Sequence, residues 1–289
     1  MNALDPHYLI WFMPAEGFPN TPASILRCGG CFVIRTAKFI LRLCMRHDPS
    51  GGCATEKLPM RIIIFANGNL PDPQKARALL RPDDFILCAD GGARHALALG
   101  LTPNLIIGDM DSLPSTLNLE PSTFHLPPST FNLEPSTFHL PPSTFIRFPA
   151  DKNETDLELA VAHALTLNPK AILILAALGG RMDQTLANIA LLSNLQLATF
   201  NIKLTDGVEE IFFCRNQVQV EGRSGDIVSL IPWQGEATGV FTENLRWHLH
   251  HETLYPDKTR GISNEMTADV ATVSIKSGLL LVVHSICDA

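Results

Sequence analysis

The chain has 289 residues, enough for one large or two ordinary domains with a substantial core. Hydrophobic residues make up 46% of it and charged residues 18%, which indicates a globular chain rather than a disordered one. The net charge is −7 and no long run of Lys or Arg is present. We therefore expect no nucleic-acid partner, because phosphate backbones are bound by basic patches.

The cysteines and the apolar runs bear on the compartment. Seven cysteines are scattered along the chain and no secretory signal opens it, so we expect free thiols and a cytoplasmic location. The most apolar stretch, residues 31–45, is interrupted by basic side chains. It is too short to cross a bilayer, and we expect no membrane partner.

Residues 1–59 differ from the rest of the chain, with several prolines and no clear hydrophobic period. We interpret them as an unmatched N-terminal extension, non-native or disordered. The basic residues of this segment fall at the spacing of a short amphipathic helix: Arg35, Lys38, Arg42 and Arg46.

From Met60 onward, strands and helices alternate. Compact apolar runs predict buried strands at residues 61–66, 84–89 and 104–107. Residues 73–80 predict a helix that opens on proline, and residues 93–99 predict a helix that Gly100 ends. This alternation is typical of a mostly parallel sheet covered by helices on both faces.

A repeat interrupts this pattern between residues 114 and 145. Residues 121–131 recur without change at 135–145, and the prolines within them block helix formation. The copies are too few and too short for a solenoid. We interpret the repeat as an insertion in a surface loop, since about three doublings of loop length cost only roughly 2 kcal/mol.

After the insertion the alternation resumes and then gives way to short strands. Thr155, with Glu158 three residues on, predicts a helix N-terminus, and a strand at 171–178 and a helix at 184–194 follow. Later segments predict hairpin strands at 210–214, 218–221, 227–231, 270–275 and 279–283. We predict an α/β catalytic domain over 60–204, with the insertion at 114–145, and an all-β sandwich domain over 205–289.

Acidic residues stand where the predicted strands end. Asp90 follows the second strand, Asp109 and Asp111 follow the third, and Asp156 opens the helix after the insertion. Ligands of open α/β sheets bind at the carboxyl ends of the strands, so we expect these carboxylates to converge. Carboxylates this close repel one another, and Mg²⁺ binds a few carboxylates together with substrate phosphates. The four carboxylates therefore predict a Mg²⁺ site centred on Asp109 and Asp111.

Glycines and an arginine beside these residues suit phosphate. Gly91 and Gly92 follow Asp90, and Gly180 precedes Arg181. Backbone N–H groups at such glycines can approach an anion, and a guanidinium offers a planar fork. The chain has neither a P-loop nor a Gly-x-Gly-x-x-Gly fingerprint, which argues against P-loop and dinucleotide-binding enzymes. Each motif alone would suit a turn or a cap, but their combination predicts phosphoryl transfer from a nucleotide.

The motifs of the first domain follow one another in a specific order: Ala89-Asp90-Gly91-Gly92-Ala93, residues 108–112, Thr155-Asp156-Leu157-Glu158 and residues 178–184. Three segments of the second domain accompany them: residues 228–232, 244–247 and 261–265. Together, over residues 60–285, they resemble the thiamine pyrophosphokinase family. The resemblance implies an ATP:thiamine diphosphotransferase, which transfers pyrophosphate from ATP to the hydroxyl of thiamine and gives thiamine diphosphate and AMP.

The resemblance also implies roles for individual residues. Asp90, Asp109, Asp111 and Asp156 would hold Mg²⁺ or position the phosphates. The ATP side would be lined by Gly91, Gly92, Lys152, Gly180, Arg181 and Asp183. Family members are homodimers, and their thiamine pocket lies between the α/β domain of one subunit and the β domain of the other. Trp247 would pack on thiamine, with Ser263 and Asn264 beside it.

Two alternatives stay open. One is a related pyrophosphokinase that acts on another alcohol, such as a pterin. The other is a non-catalytic thiamine or nucleotide binder. The sequence departs from the family at Asn153, where an aspartate is common, and we leave that position out of the predicted metal site.

Overall fold

The computed structural model describes three strands between residues 24 and 44, and residues 60–113, 117–118, 138–139, 144–194 and 197–287. Most of the repeat at 114–145 and most of the N-terminal extension lie outside the described residues. The chain divides into two compact units, Met1–Leu58 and Pro59–Ala289, which we describe separately.

The described part of the first unit is an antiparallel sheet. Its strands are β1 (Ser24–Cys28), β2 (Cys31–Thr36) and β3 (Phe39–Cys44), paired in that order. A helix at the spacing of Arg35 and Arg42 is therefore a wrong prediction. The segments are rich in β-branched and aromatic residues, and their preference for an extended backbone outweighs the basic periodicity.

The second unit combines helices with many strands. Its described helices are α1 (Pro73–Ala78), α2 (Ala93–Ala98), α3 (Asp156–Thr166) and α4 (Met182–Leu192). Its described strands are β4 (Arg61–Phe65), β5 (Phe85–Ala89), β6 (Leu105–Gly108), β7 (Leu117–Asn118), β8 (Phe138–His139), β9 (Phe145–Arg147), β10 (Ala171–Leu175), β11 (Asn201–Thr205), β12 (Glu209–Cys214), β13 (Gln217–Glu221), β14 (Ile227–Pro232), β15 (Ala237–Glu243), β16 (His250–Leu254), β17 (Asn264–Glu265), β18 (Val270–Ser274) and β19 (Leu280–Ser285).

A ten-stranded sheet runs through this unit in the order β17-β14-β19-β12-β11-β10-β4-β5-β6-β9. Strands from β11 to β9 in this order are parallel neighbours, and antiparallel pairing begins between β11 and β12. The chain winds outward from β4 to β9 and then returns to place β10 on the other side of β4. Such a reversal opens a crevice at the carboxyl ends of the strands.

Helices cover both faces of the parallel strands. In β4, Ile62 and Ile64 share a core with residues of α3 and α4, whereas Ile63 and Phe65 share another with residues of α1 and α2. All four are fully buried, as their unbroken apolar run predicts.

A side-chain cap fixes the N-terminus of the helix that carries Asp156. The Thr155 hydroxyl accepts a hydrogen bond from the Glu158 N–H at 3.2 Å, which places Asp156 in the first turn of α3. The predicted N-terminus of this helix is confirmed.

An antiparallel sheet in the order β13-β18-β15-β16 packs against the antiparallel half of the large sheet. Val240 and Val273 of the smaller sheet meet Leu230 and Val282 of the larger one in a shared core. This is the predicted sandwich, so the fold class is confirmed: a mostly parallel α/β sheet followed by an antiparallel β-sheet domain. The domain boundary at residue 205 stays a prediction, since the ten-stranded sheet continues across it.

No sequence pattern predicted β15, β16 or β17. The pairing of β15 with β16 contains register shifts, so its side chains do not alternate cleanly between core and solvent. Of the helices that the structure describes, none has the length and apolar character to cross a membrane.

Candidate active site

A cleft of about 600 Å³ opens at the carboxyl ends of the parallel strands, at the point where the winding reverses. Segments that follow β4, β5, β6, β9 and β10 all contribute to its wall. This is the convergence that the strand-end positions predicted. The predicted site residues that line the cleft are Asp90, Asp109, Asp111, Lys152, Asp156, Gly180 and Arg181.

Asp90 lies at the end of β5, where the chain enters a 3₁₀ turn with a φ of 43°. The residue is 3% exposed. Its Oδ2 accepts a hydrogen bond from the Ser112 N–H at 3.3 Å, whereas its buried Oδ1 has no partner within the described ranges. Burial raises the pKa of Asp90 above its ordinary value. Hydrogen bonds from Gly91 and Ser112 lower this pKa, but the negative charges of Asp156 and Asp109 raise it further, and the net shift is upward.

Asp109 and Asp111 extend from the loop after β6. The Asp111 N–H donates to Asp109 Oδ1 at 3.2 Å, and the Ser112 hydroxyl donates to Asp111 Oδ1 at 2.8 Å. The hydrogen bond from the Asp111 N–H, and then the positive charge of Lys152, hold the pKa of Asp109 below its ordinary value despite some burial. Asp109 is therefore ionised at neutral pH.

Asp90, Asp109 and Asp111 each bring one carboxylate oxygen within 4.8 Å of the others. Hard divalent cations bind sets of oxygen ligands of this kind. The partnerless Oδ1 of Asp90 adds to the fit, because a buried acceptor needs a partner and a cation would supply one. The residues therefore fit a divalent cation.

Asp156 is not part of the trio of Asp90, Asp109 and Asp111, and its carboxylate lies beside a lysine of the same chain. Lys152 Nζ lies 3.0 Å from Asp156 Oδ1 and 3.5 Å from Asp109 Oδ2. Burial lowers the pKa of Lys152, but hydrogen bonds and charges from Asp156 and then Asp109 outweigh it and raise this pKa. The ammonium thus neutralises part of the acidic cleft. The predicted metal role of Asp156 stays a prediction.

Glycine is required where the end of β6 passes the acidic residues. A Cβ on Gly108 would lie 2.7 Å from the Asp90 Cβ and 3.1 Å from Asp156 Oδ1. Gly91 and Gly92, predicted to contact the nucleotide, are buried in the turn after β5 and do not line the cleft. A Cβ on Gly92 would lie 2.0 Å from the Phe65 carbonyl oxygen, so this glycine allows the turn that holds Asp90.

The opposite wall of the cleft comes from the loop after β10. Gly179 and Gly180 have φ values of 74° and 73°, which glycine adopts without strain. Arg181 is exposed, and its Nε donates to Asp183 Oδ1 at 3.1 Å. Such exposed ion pairs contribute little to stability, so a phosphate could replace Asp183 as the partner of Arg181. Asp183 itself does not line the cleft.

The three residues predicted for the acceptor lie in the β domain and do not line this cleft. Trp247 is 51% exposed. Its backbone N–H donates to Asn264 Oδ1 at 2.9 Å, and Asn264 Nδ2 donates to the Trp247 backbone carbonyl at 2.7 Å. The Ser263 N–H donates to Ser229 Oγ at 3.0 Å. Asn264 therefore holds the backbone of Trp247, and the exposed indole lies beside the Arg246 guanidinium, whose central carbon is 5.1 Å from the ring centroid.

No sequence pattern predicted the contribution of the loop after β4. Asn67, Gly68 and Asn69 line the cleft, as does Gln184 at the start of α4. An Asn-Gly-Asn sequence after a strand is a common turn, and its importance follows only from the strand order that puts β10 beside β4.

Fold and site together define a class of protein. An α/β domain carries an acidic cleft, suited to a divalent cation, at the carboxyl ends of its parallel strands, and an antiparallel β-sandwich follows along the chain. Two family models match the chain. "Thiamin pyrophosphokinase, catalytic domain" matches residues 76–204, and "Thiamin pyrophosphokinase, vitamin B1 binding domain" matches residues 215–280. Together they span more than half of the chain, which belongs to the thiamin pyrophosphokinase family.

Individual relatives agree with this assignment. The thiamine pyrophosphokinase of Bacillus subtilis is 29% identical over 140 residues, which are 48% of this chain and 65% of that protein. The match thus spans slightly less than two thirds of the relative's length. A crystal structure of the Bacillus subtilis protein has a TM-score of 0.64 at 22% identity and covers 79% of this chain and 100% of its own. Thiamin pyrophosphokinase from Candida albicans has a TM-score of 0.60 at 14% identity, with coverages of 78% and 90%. At these identities, the two structural matches show that the fold is similar.

Proposed function

We propose that the chain is an ATP:thiamine diphosphotransferase, which moves the pyrophosphoryl group of ATP to the hydroxyl of thiamine and releases AMP. The observation that carries the proposal is the trio of Asp90, Asp109 and Asp111 in the cleft at the strand ends. These residues lie inside the range of the catalytic-domain match. The vitamin B1 binding match supports thiamine as the acceptor.

The proposed cofactor is Mg²⁺, held by Asp90, Asp109 and Asp111, with Asp156 as a nearby carboxylate. When bound, Mg²⁺ neutralises negative charge on the transferring phosphates. The protein's task is to keep three carboxylates close together despite their repulsion. It does so through the turn after β5, the space left by Gly108 and the hydrogen bonds from Asp111 and Ser112.

In the proposed reaction, the thiamine hydroxyl oxygen bonds to the β-phosphorus and its proton is released. The bond from that phosphorus to the oxygen bridging the α-phosphorus breaks, and AMP leaves with this oxygen. Such transfers depend mainly on positioning and on charge neutralisation. Lys152, 11% exposed between Asp109 and Asp156, supplies a cation to the phosphates. Arg181 exchanges Asp183 for phosphate oxygens, and Gly180 lets the backbone approach them.

We further propose a homodimer with the active site at the subunit interface. Trp247, Ser263 and Asn264 do not line the cleft of their own chain, so a second copy would supply them. Large apolar side chains are exposed on α4 and in the β domain, among them Met182 at 69% and Trp247 at 51%. Apolar exposure of this kind marks interaction surfaces. Light scattering should give twice the chain mass of 31.6 kDa, and a monomer at assay concentration would contradict the dimer.

A cytoplasmic location completes the proposal. Cys88 and Cys214 are buried free thiols, and burial raises the pKa of Cys214 to about 11. Free cysteines suit a reducing compartment. Labelling of the native protein with a thiol reagent should modify the exposed Cys287 and leave Cys88 and Cys214 unreacted. Detection of any of the three in a disulfide after extraction would argue against this location.

The direct test is analysis of the products formed from ATP, Mg²⁺ and thiamine. We expect AMP and thiamine diphosphate in equal amounts, and no AMP without thiamine. Faster turnover of a pterin alcohol would favour the related pyrophosphokinase. Thiamine or ATP binding without turnover would favour the non-catalytic binder. ADP as the only nucleotide product would contradict the proposed reaction.

A further inference from the structure

Exposed histidines lie close together on the β domain, outside the acidic cleft. They are His248, His250 and His251, and the proposed reaction uses none of them. The imidazole rings of His248 and His250 have a centroid distance of 5.8 Å and an angle of 36° between their planes. Their ring nitrogens make no hydrogen bond within the part of the chain that the structure describes. Each imidazole can therefore offer a nitrogen to a ligand.

The backbone between these two rings is held in place by the core. Leu249 is 1% exposed and packs inside the sandwich. Its N–H donates to Thr242 Oγ1 at 2.9 Å, and its carbonyl accepts from the Thr242 N–H at 3.1 Å. Successive side chains of an extended segment point to opposite faces, so the buried Leu249 places His248 and His250 together on the exposed face.

The third histidine, His251, is turned in another direction by a bulge. The pairing of β15 with β16 shifts register here, and His251 has a φ of 56°. An extra residue in a bulge re-aims its side chain. The His251 ring stacks on Phe241, with 5.2 Å between centroids and 24° between planes. Within the described residues it has no ring contact with His248 or His250, so the cluster presents a pair of imidazoles.

The spacing and the ligand type both suit a transition-metal ion. With metal–nitrogen bonds of about 2.1 Å, two imidazoles on one ion have centroids about 5 Å apart at a tetrahedral angle and about 6.4 Å apart at most. The observed 5.8 Å lies within this range. Glu252, a carboxylate of the same strand, is already paired with Arg260 at 2.9 and 3.0 Å. Nitrogen ligands suit Zn²⁺, Cu²⁺ and Ni²⁺, whereas Mg²⁺ prefers oxygen.

We propose that His248 and His250 bind a divalent transition-metal ion on the β domain. Each histidine contributes one ring nitrogen, and the remaining coordination positions are open to water or to a donor atom of another molecule. This site differs in chemistry from the trio of Asp90, Asp109 and Asp111, which fits a hard cation. The inference does not depend on the proposed function, because it requires neither ATP nor thiamine.

Calorimetry with Ni²⁺ tests this site on the full chain. Accessible thiols are alkylated first and Mg²⁺ is present in excess, so that thiolates and the acidic cleft compete little for the probe. We expect His248→Ala and His250→Ala each to bind Ni²⁺ at least about tenfold more weakly than the wild type, since each loses one of the two ligands. The matched control is His251→Ala, an exposed histidine next in the sequence, which should bind within about twofold of the wild type.

Three results would overturn the proposal. A wild type that binds no Ni²⁺ has no such site. Unchanged affinity in both His248→Ala and His250→Ala would mean that the ion binds elsewhere. An equal loss in His251→Ala would indicate a diffuse histidine patch instead of a two-ligand site.

A second measurement on the wild type does not depend on the folding of any variant. Electron paramagnetic resonance of bound Cu²⁺ should show nitrogen splitting from two imidazoles. Splitting from a single nitrogen would contradict the pair. Thermal unfolding without added metal should be the same for all three variants and the wild type, because the three side chains are exposed.

Discussion

The substitution Asp90→Asn should stabilise the metal-free protein and strongly weaken its response to Mg²⁺. Asp90 is buried, its Oδ1 has no partner within the described ranges, and burial raises its pKa. Asparagine keeps an acceptor for the Ser112 N–H and tolerates the φ of 43° at this position. Its neutral amide would remove the repulsion from the charges of Asp156 and Asp109. The substitution thus removes a buried negative charge without changing the shape of the site.

The expected size follows from the burial. Burying an unpaired charge costs more than the roughly 1–3 kcal/mol of an unpartnered neutral group, so a gain of about 1 kcal/mol on removing the charge is a conservative expectation. In a protein of this size it corresponds to a rise of about 2–4 °C in the unfolding midpoint. Mg²⁺ at a hundred times its dissociation constant should stabilise the wild type by about 2.7 kcal/mol, and the variant, which lacks one of three ligands, much less.

Thermal unfolding at pH 7, with chelator and with saturating Mg²⁺, measures both effects. The matched control is Asp83→Asn, an exposed aspartate that lies outside the cleft. We expect Asp90→Asn to unfold above the wild type in chelator and below it in Mg²⁺, and the control to follow the wild type in both. A variant that unfolds below the wild type in chelator, or that gains as much from Mg²⁺, would refute the reasoning.

Three further predictions concern other parts of the protein. Gly108→Ala should lower turnover by about 100-fold and also lower stability, because its Cβ would lie 2.7 Å from the Asp90 Cβ and push this buried residue out of place; steady-state kinetics and thermal unfolding check this. Asn264→Ala should lower the free energy of unfolding in urea by about 1–3 kcal/mol, because both backbone groups of Trp247 lose their partner. Burial raises the pKa of Asp226, but hydrogen bonds to its carboxylate outweigh burial and lower this pKa below 3.8. The ionised Asp226 therefore stabilises the protein above that pH, and this stabilisation is lost as the pH falls through the lowered pKa. Asp226→Asn should therefore unfold earlier than the wild type at pH 7, by a margin that shrinks below about pH 4.

The alternating pattern was predictable because burial on both faces leaves a plain trace in the sequence. After Arg61, β4 is apolar at every position, and an apolar run this short is typical of a buried strand rather than of a helix. The convergence of Asp90, Asp109 and Asp111 was predictable for a related reason, since parallel strands bring their carboxyl ends to one edge.

Features that depend on strand order or on contacts distant in sequence were not predictable. The loop at Asn67–Asn69 became part of the cleft because β10 returns to lie beside β4. Gly92 has the pattern of a phosphate-binding residue, but it is buried against the Phe65 carbonyl. Asp156 is the fourth acidic residue of the pattern, and only the structure shows that it pairs with Lys152.

The central claim is that a pyrophosphoryl group moves as a unit from ATP to thiamine at the acidic cleft. The most direct measurement uses ATP labelled with ³²P at the β-phosphorus in one reaction and at the γ-phosphorus in another, with thiamine and Mg²⁺. We predict that both labels enter thiamine diphosphate in equal yield and that neither remains in the AMP. Transfer of the γ label alone, with the β label left in ADP, would contradict the account.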